Sequence, residues 1–196
     1  MEGKRANGIL EGVYRSSAEV EVKKAILQSY LVSDDSAKLL DAARGETNPQ
    51  LVRTAVQTLG AMGDANQLLG LYRVRKTSED KASIIDAFVA CGERANGALK
   101  EIATTETDSE LRRKAIRNLG VTAGRVGPIL VEIFQKSSDP GGKEAALDGL
   151  FVADDAHDLV SLARAEKDIG MKRKIVDKLS VMGNKEASDY MMELLK

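Results

Sequence analysis

A chain of 196 residues with 43% hydrophobic and 30% charged side chains can bury a core, and it contains no 18-residue apolar run of the kind that crosses a membrane. Its 29 basic and 30 acidic residues leave a formal charge of −1, which excludes a global field drawing it to nucleic acid or to an anionic membrane surface. One cysteine excludes an internal disulfide, and 4% aromatics, three prolines and no tryptophan favour helices packed through Leu, Ile, Val and Ala over a sheet sandwich.

In chain order the first element is a helix with Leu10, Val13 and Tyr14 on one face, preceded by "GKRANG" at residues 3–8. That string returns as "GERANG" at residues 92–97, and such self-similarity is the mark of a repeat array. A longer echo supports it. "KKAILQSYLVSDDSAKLLDAAR" from Lys23 and "KEAALDGLFVADDAHDLVSLAR" from Lys143 align at an offset of 120, or four units of 30. From residue 17 onward the spacing predicts helical hairpins over 17–45, 46–75, 76–106, 107–136, 137–166 and 167–196, with 1–16 the lone second helix of another unit.

Each unit is written in its anchors. In the first helix a small or aliphatic residue precedes a large one by four: Ile26 and Tyr30, Ala55 and Leu59, Ile84 and Phe88, Ala115 and Leu119, Ala146 and Leu150, Ile175 and Leu179. The second helix carries an i, i+3, i+4 face: Leu39/Ala42/Ala43, Leu68/Leu71/Tyr72, Leu99/Ile102/Ala103, Leu130/Ile133/Phe134, Leu159/Leu162/Ala163 and Met191/Leu194/Leu195. Capping residues punctuate the turns. Asn48-Pro49, Thr77, Asp108, Asp139-Pro140 and Asp168 open first helices, while Asp35, Gly63-Asp64, Asp155 and Gly183-Asn184 separate first from second.

The repeat resembles the HEAT-like repeats of the bilin-lyase type through "LVRTAVQTLG" from Leu51 and "LRRKAIRNLG" from Leu111, with a degenerate copy "MKRKIVDKLS" from Met171. The resemblance spans essentially the whole chain and implies one all-α domain, a right-handed α-solenoid of about six HEAT-like hairpins that begins in mid-repeat. On that frame GKRANG is expected to be the same turn as GERANG. Leu10, Val13 and Tyr14 are then expected to lack half of their usual cover, Met1 to replace upstream chain, and the array to expose apolar ends.

Chemistry needs convergent groups, and few are present. A single histidine, His157, cannot assemble the paired His–Glu iron motifs of the hydroxylases that share this repeat, and it is expected at the surface as the start of a second helix. Cys91 sits where Met62 sits in the preceding unit and reads as a small core residue. "SSDPGG" from Ser137 lacks a preceding strand and a phosphate-loop lysine, so it reads as a turn. The expectation is a non-enzyme with no cofactor and no metal.

The ordered polar feature is a pair of columns on the second helices. With Leu10 at zero on a wheel of 100° per residue, the residues two and five places on point away from the core. They read Gly12, Asp41, Gly70, Glu101, Glu132, Ser161, Glu193 and Arg15, Arg44, Arg73, Thr104, Gln135, Arg164, Lys196. Arg15, Arg44, Arg73 and Arg164 with Asp41, Glu101 and Glu132 are therefore the candidate partner-binding residues, on the concave face that such solenoids present. Two acids interrupt the arginines and no tryptophan can stack a base, so a protein or peptide of mixed charge is expected rather than nucleic acid or membrane. A second column, Lys24, Arg53, Arg113 and Arg173, is expected to be structural and to pair with turn acids such as Asp64. Two other readings follow from the same residues. The family resemblance implies an accessory subunit of a lyase for a protein-bound chromophore, and the exposed array ends predict homo-oligomers.

Overall fold

The computed structural model describes the backbone of residues 2–195 and the side chains of residues 8–195. Among these residues every regular element is a helix and there is no strand, so the protein is all-α. The chain divides into two compact units, residues 1–98 and 99–196, with the division falling inside a helix.

In the first unit α1 (Glu2–Ser16), α2 (Val20–Val32), α3 (Ser36–Gly45), α4 (Pro49–Ala61), α5 (Ala65–Val74) and α6 (Ser78–Phe88) follow one another, and a 3-10 segment (Val89–Ala95) leads into α7 (Asn96–Thr105). Helices α2, α4 and α6 pack in succession to form one layer, and α3 lies against α5 in the other. In the second unit α8 (Ser109–Val121), α10 (Pro140–Val152) and α12 (Ile169–Ser180) pack in succession, as do α9 (Gly127–Lys136), α11 (Ala156–Ala165) and α13 (Lys185–Leu194).

Capping residues place these helices. The side chains of Asn48, Thr77, Asp108, Asp139 and Asp168 each accept a backbone N–H in the first turn of α4, α6, α8, α10 and α12, satisfying donors the helix leaves open. Asp35, Asp155 and Asn184 do the same for α3, α11 and α13. The turns into α3, α5 and α11 need a left-handed residue, supplied by Asp34 (φ 52°), Gly63 (φ 78°) and Asp154 (φ 54°), residue types that tolerate that region.

The core is the one the anchors predict. All six i, i+4 pairs from Ile26/Tyr30 to Ile175/Leu179 are buried, and so are the second-helix triads from Leu39/Ala42/Ala43 to Leu159/Leu162/Ala163. Two expectations fail. The GKRANG segment lies inside α1, whereas GERANG contains a real break, with Gly92 at φ 57°. At Gly92 the chain arrives from α6 and must reverse. Residues 3–8 lie within α1, and the Lys, Arg and Ala among them are good helix formers. The second failure is in α13, where the buried face is Ala187 and Tyr190, four residues ahead of the Met191/Leu194/Leu195 triad, and Leu195 is 84% exposed. The Gly183-Asn184 turn starts α13 at Lys185, so only its first two turns reach α11 and α12.

Candidate partner-binding surface

The column residues sit where the wheel puts them, on the outward side of the second helices. Arg15 on α1, Asp41 and Arg44 on α3, Arg73 on α5 and Arg164 on α11 are exposed, while Glu101 on α7 and Glu132 on α9 are half-buried. Lys196 lies outside the described residues.

In the first unit the columns border a cleft of about 400 Å³ between α1, α2 and α3, lined by Arg15, Tyr14, Tyr30, Lys38, Asp41 and Glu46. Glu11 binds the groups that close it. It pairs with Arg15 on its own helix and, at 2.5 Å, with Lys38 on α3. The Lys38 hydrogen bond holds the Glu11 carboxyl below its ordinary range. Tyr14 Oη donates to Glu46 Oε1 at 2.6 Å, and Lys23 Nζ reaches the same carboxylate at 3.3 Å while standing 4.8 Å from the Tyr14 ring centre. Burial first, and the Glu46 hydrogen bond second, push the Tyr14 hydroxyl well above its usual range, so it remains a donor. Asp41, in the lining of the cleft, and the exposed Arg44 on the same helix make no ion pair among the described residues.

In the second unit a cleft of about 420 Å³ is lined by Thr104, Glu132, Lys136, Arg112 and Asp139. Glu132 lies between Lys100 at 2.6 Å and Lys136 at 2.8 Å, and these two cations hold its carboxyl at about 2. It is an anion at any physiological pH. Arg164 pairs with Glu193 on α13 at 2.6 Å and lies over the Tyr190 ring at 5.6 Å. Each unit therefore presents both cations and anions on the outward side of its second helices.

Sequence reasoning missed the residues that brace this surface: Glu11, Lys38, Lys100 and the Tyr14–Lys23–Glu46 cluster. A signal for the last was present. An aromatic residue followed nine places later by lysine recurs as Tyr14 and Lys23, Tyr72 and Lys81, Phe134 and Lys143, with ammonium-to-ring distances of 4.8, 4.9 and 5.0 Å. In the last of these Lys143 also reaches Glu166 at 3.9 Å, as Lys23 reaches Glu46.

The second arginine column pairs differently from the expectation. Lys24 bonds Glu21 at 2.9 Å, Arg53 approaches Glu79 at 4.0 Å, and Arg113 meets Glu110 and, at 3.5 Å, Asp139. These are acids in the first turns or caps of first helices rather than the Asp64 type of turn, because the arginines leave their helices near the N-terminal end, beside the next helix's start. His157 is exposed with Nδ1 3.5 Å from Glu186, and Cys91 is buried, its thiol pushed up to about 11 by burial and its Sγ 3.4 Å from the Gly60 carbonyl oxygen. Among the described residues no group of three or more His, Cys, Asp or Glu side chains is placed to hold a metal ion, and no helix is long and apolar enough to cross a membrane.

No protein-family model matches the chain, and no curated protein matches it significantly.

Proposed function

We propose that the chain is a right-handed α-solenoid of about six HEAT-like hairpins that binds a protein or peptide of mixed charge along its second helices. It acts as a scaffold and carries out no reaction. The observation that supports this is the charge on the outward side of the second helices in each unit. Asp41 is unpaired in the lining of one cleft, Arg44 is exposed and unpaired on the same helix, and Glu132 is fixed as an anion in the other cleft. A segment with acids spaced to meet Arg15, Arg44, Arg73 and Arg164, and bases to meet Asp41, Glu101 and Glu132, associates quickly on such a surface and is released by salt. Braced side chains lose less freedom on binding than free ones, which favours affinity at the same contact area.

The test is capture from native lysate by the immobilised chain beside a variant carrying Arg44→Glu, Arg73→Glu and Arg164→Glu, followed by rebinding with the purified captured protein. A partner held by the first and lost by the second, with affinity falling as salt rises, supports the reading. Equal retention by both, or a partner indifferent to salt, overturns it.

A further inference from the structure

Three second helices open on an aspartate, and in each the residue three places on stands beside it: Asp35 and Lys38 for α3, Asp64 and Gln67 for α5, Asp155 and Asp158 for α11. The first two companions suit an acid at any pH. Lys38 is a cation, and Gln67 Nε2 donates to Asp64 Oδ2 at 3.4 Å. The same amide donates at 2.9 Å to Ser36 Oγ, reaching back to the first residue of the preceding second helix. Asp158 reaches back in the same way, to Gly127 at the first residue of α9. As a carboxyl, however, it donates only when protonated.

The space is shaped around two carboxyl groups. Gly127 is buried, and a Cβ on it would collide with Oδ2 of both Asp155 and Asp158. Asp155 is tied in place, its Oδ1 accepting the Asp158 N–H at 3.0 Å, and Asp158 is half-buried beside it. Two helix starts meet here. Each carries roughly half a positive charge, which together suits one anion rather than two. The cations that face Asp158 are peripheral: exposed Arg125 ahead of α9, and exposed His157, which pairs with Glu186 of α13 at 3.5 Å. Asp154, the remaining acid of the turn, is engaged by Asn184 Nδ2 at 3.2 Å.

We propose that Asp155 and Asp158 form a proton-operated latch between the starts of α9 and α11, closed when one proton is shared between them and loosened when both are ionised. In the closed state Asp158 donates to Asp155 as Gln67 donates to Asp64. In the open state two negative oxygens share one crowded seat against Gly127, and Asp158 is driven toward solvent. The helices joined by the latch carry Glu132 and Arg164, so the proton sets how firmly those two charges are held side by side.

Burial first, then the charge and hydrogen bond of Asp155, push the Asp158 carboxyl above its ordinary value of 3.8, against the pull of His157 and Arg125. The folded state therefore holds this proton more tightly than the unfolded chain does. The stability it contributes is complete below 3.8 and is lost as the pH rises through the higher folded value. Each unit of difference between the two values changes the ratio of folded to unfolded chain about tenfold.

Two measurements on the whole chain test the latch, with circular dichroism as the check on folding. The first is a carbon-13 NMR titration of the Asp158 carboxyl, whose midpoint is expected above 3.8. Gly127→Ala puts a methyl group where the two carboxyl oxygens lie, and it should return that midpoint toward 3.8. The second is urea unfolding as a function of pH. Asp158→Asn supplies a permanent donor, so it should be several-fold more favourably folded than wild type at neutral pH, and the gap should close on acidification. The same convergence is expected when both chains also carry His157→Gln, which removes the neighbouring imidazole. A midpoint at or below 3.8, a midpoint unmoved by Gly127→Ala, parallel unfolding curves, or a convergence that vanishes with His157 each overturns the proposal.

Discussion

Helix α10 has a neighbour of the same layer on each side, and it treats the two differently. Against α8 it packs along its length, because Gly120 and Gly149 let the two backbones come within contact distance at the crossing. Against α12 it touches at only a few points. There the residue in Gly120's place is Phe151 and the one in Gly149's place is Lys178, and the two stand in contact, Nζ 5.4 Å from the ring centre. A groove of about 360 Å³ opens between the helices, floored by Leu147 and Phe151 and crossed by the Lys174–Glu144 pair and the 2.5 Å Lys178–Asp148 pair. On the two sides of α10, then, the residues at the two crossing positions differ, Gly120 with Gly149 where backbones meet and Phe151 with Lys178 where long side chains intervene. The first arrangement excludes water and gains dispersion contact over its length, while the second leaves Phe151 36% exposed and relies on solvated ion pairs.

The largest effect that would break this contrast is Gly120→Val. Its new Cβ would meet the Gly149 backbone, which cannot rotate away, so α8 and α10 must part. We expect a loss of about 3 kcal/mol in urea-induced unfolding, at the upper end for overpacking. Phe151→Ala, on the open side, should lose about 1 kcal/mol, since a third of the ring is already wet and its cation contact is exposed. Near-equal losses for the two would mean that α8 and α10 separate as easily as α10 and α12 already do, and that the glycine seam adds nothing.

The ends of the helices give a second way to sharpen the comparison. Asp139 caps α10 through the Gly141 and Gly142 N–H groups, both at 3.2 Å, and takes Arg112 and Arg113 of α8 at 3.5 Å each. Asp139→Ala removes cap and cross-link together and is expected to cost about 1.5 kcal/mol. On the other side Lys178→Ala removes one solvated ion pair and one exposed cation contact, and should cost about 0.5 kcal/mol by the same thermal or urea measurement. A Lys178 variant as damaging as the Asp139 variant would show that the α10–α12 rungs carry more than solvated charge.

The anchors and caps were legible because helical period and capping chemistry are local. Ala115 with Leu119, or Asp168 opening α12, follow from spacing and side-chain type alone. The small residues that let α8 and α10 cross closely stand in the sequence, but a 30-residue period conceals them by treating Gly120, Phe151 and Ser180 as equivalent ends of a helix. Partner choice for long side chains was not legible. The wheel puts Glu132 outward but cannot say that Lys100 and Lys136 both reach it, because those distances depend on how α7 and α9 lie together. The Met191 face failed for a similar reason, since the length of the turn before α13, rather than its periodicity, decides which of its residues reach α11 and α12.

The smallest expected effect concerns the charge of Asp139 apart from its shape. Hydrogen bonds from the Gly141 and Gly142 N–H groups, together with Arg113 and Arg112, hold this carboxyl below its ordinary value of 3.8. The folded state therefore favours the ionised form more than the unfolded chain does. Its contribution to stability is complete above the ordinary carboxylate range and is lost as the pH falls through 3.8 toward the depressed folded value. Asp139→Asn keeps an acceptor for the cap and removes the charge, so it should be slightly less stable than wild type at neutral pH, and the difference should shrink on acidification until the two curves meet. Parallel curves at all pH values would mean that Arg112 and Arg113 do not sense the charge and that the cap hydrogen bonds alone tie α10 to its close neighbour.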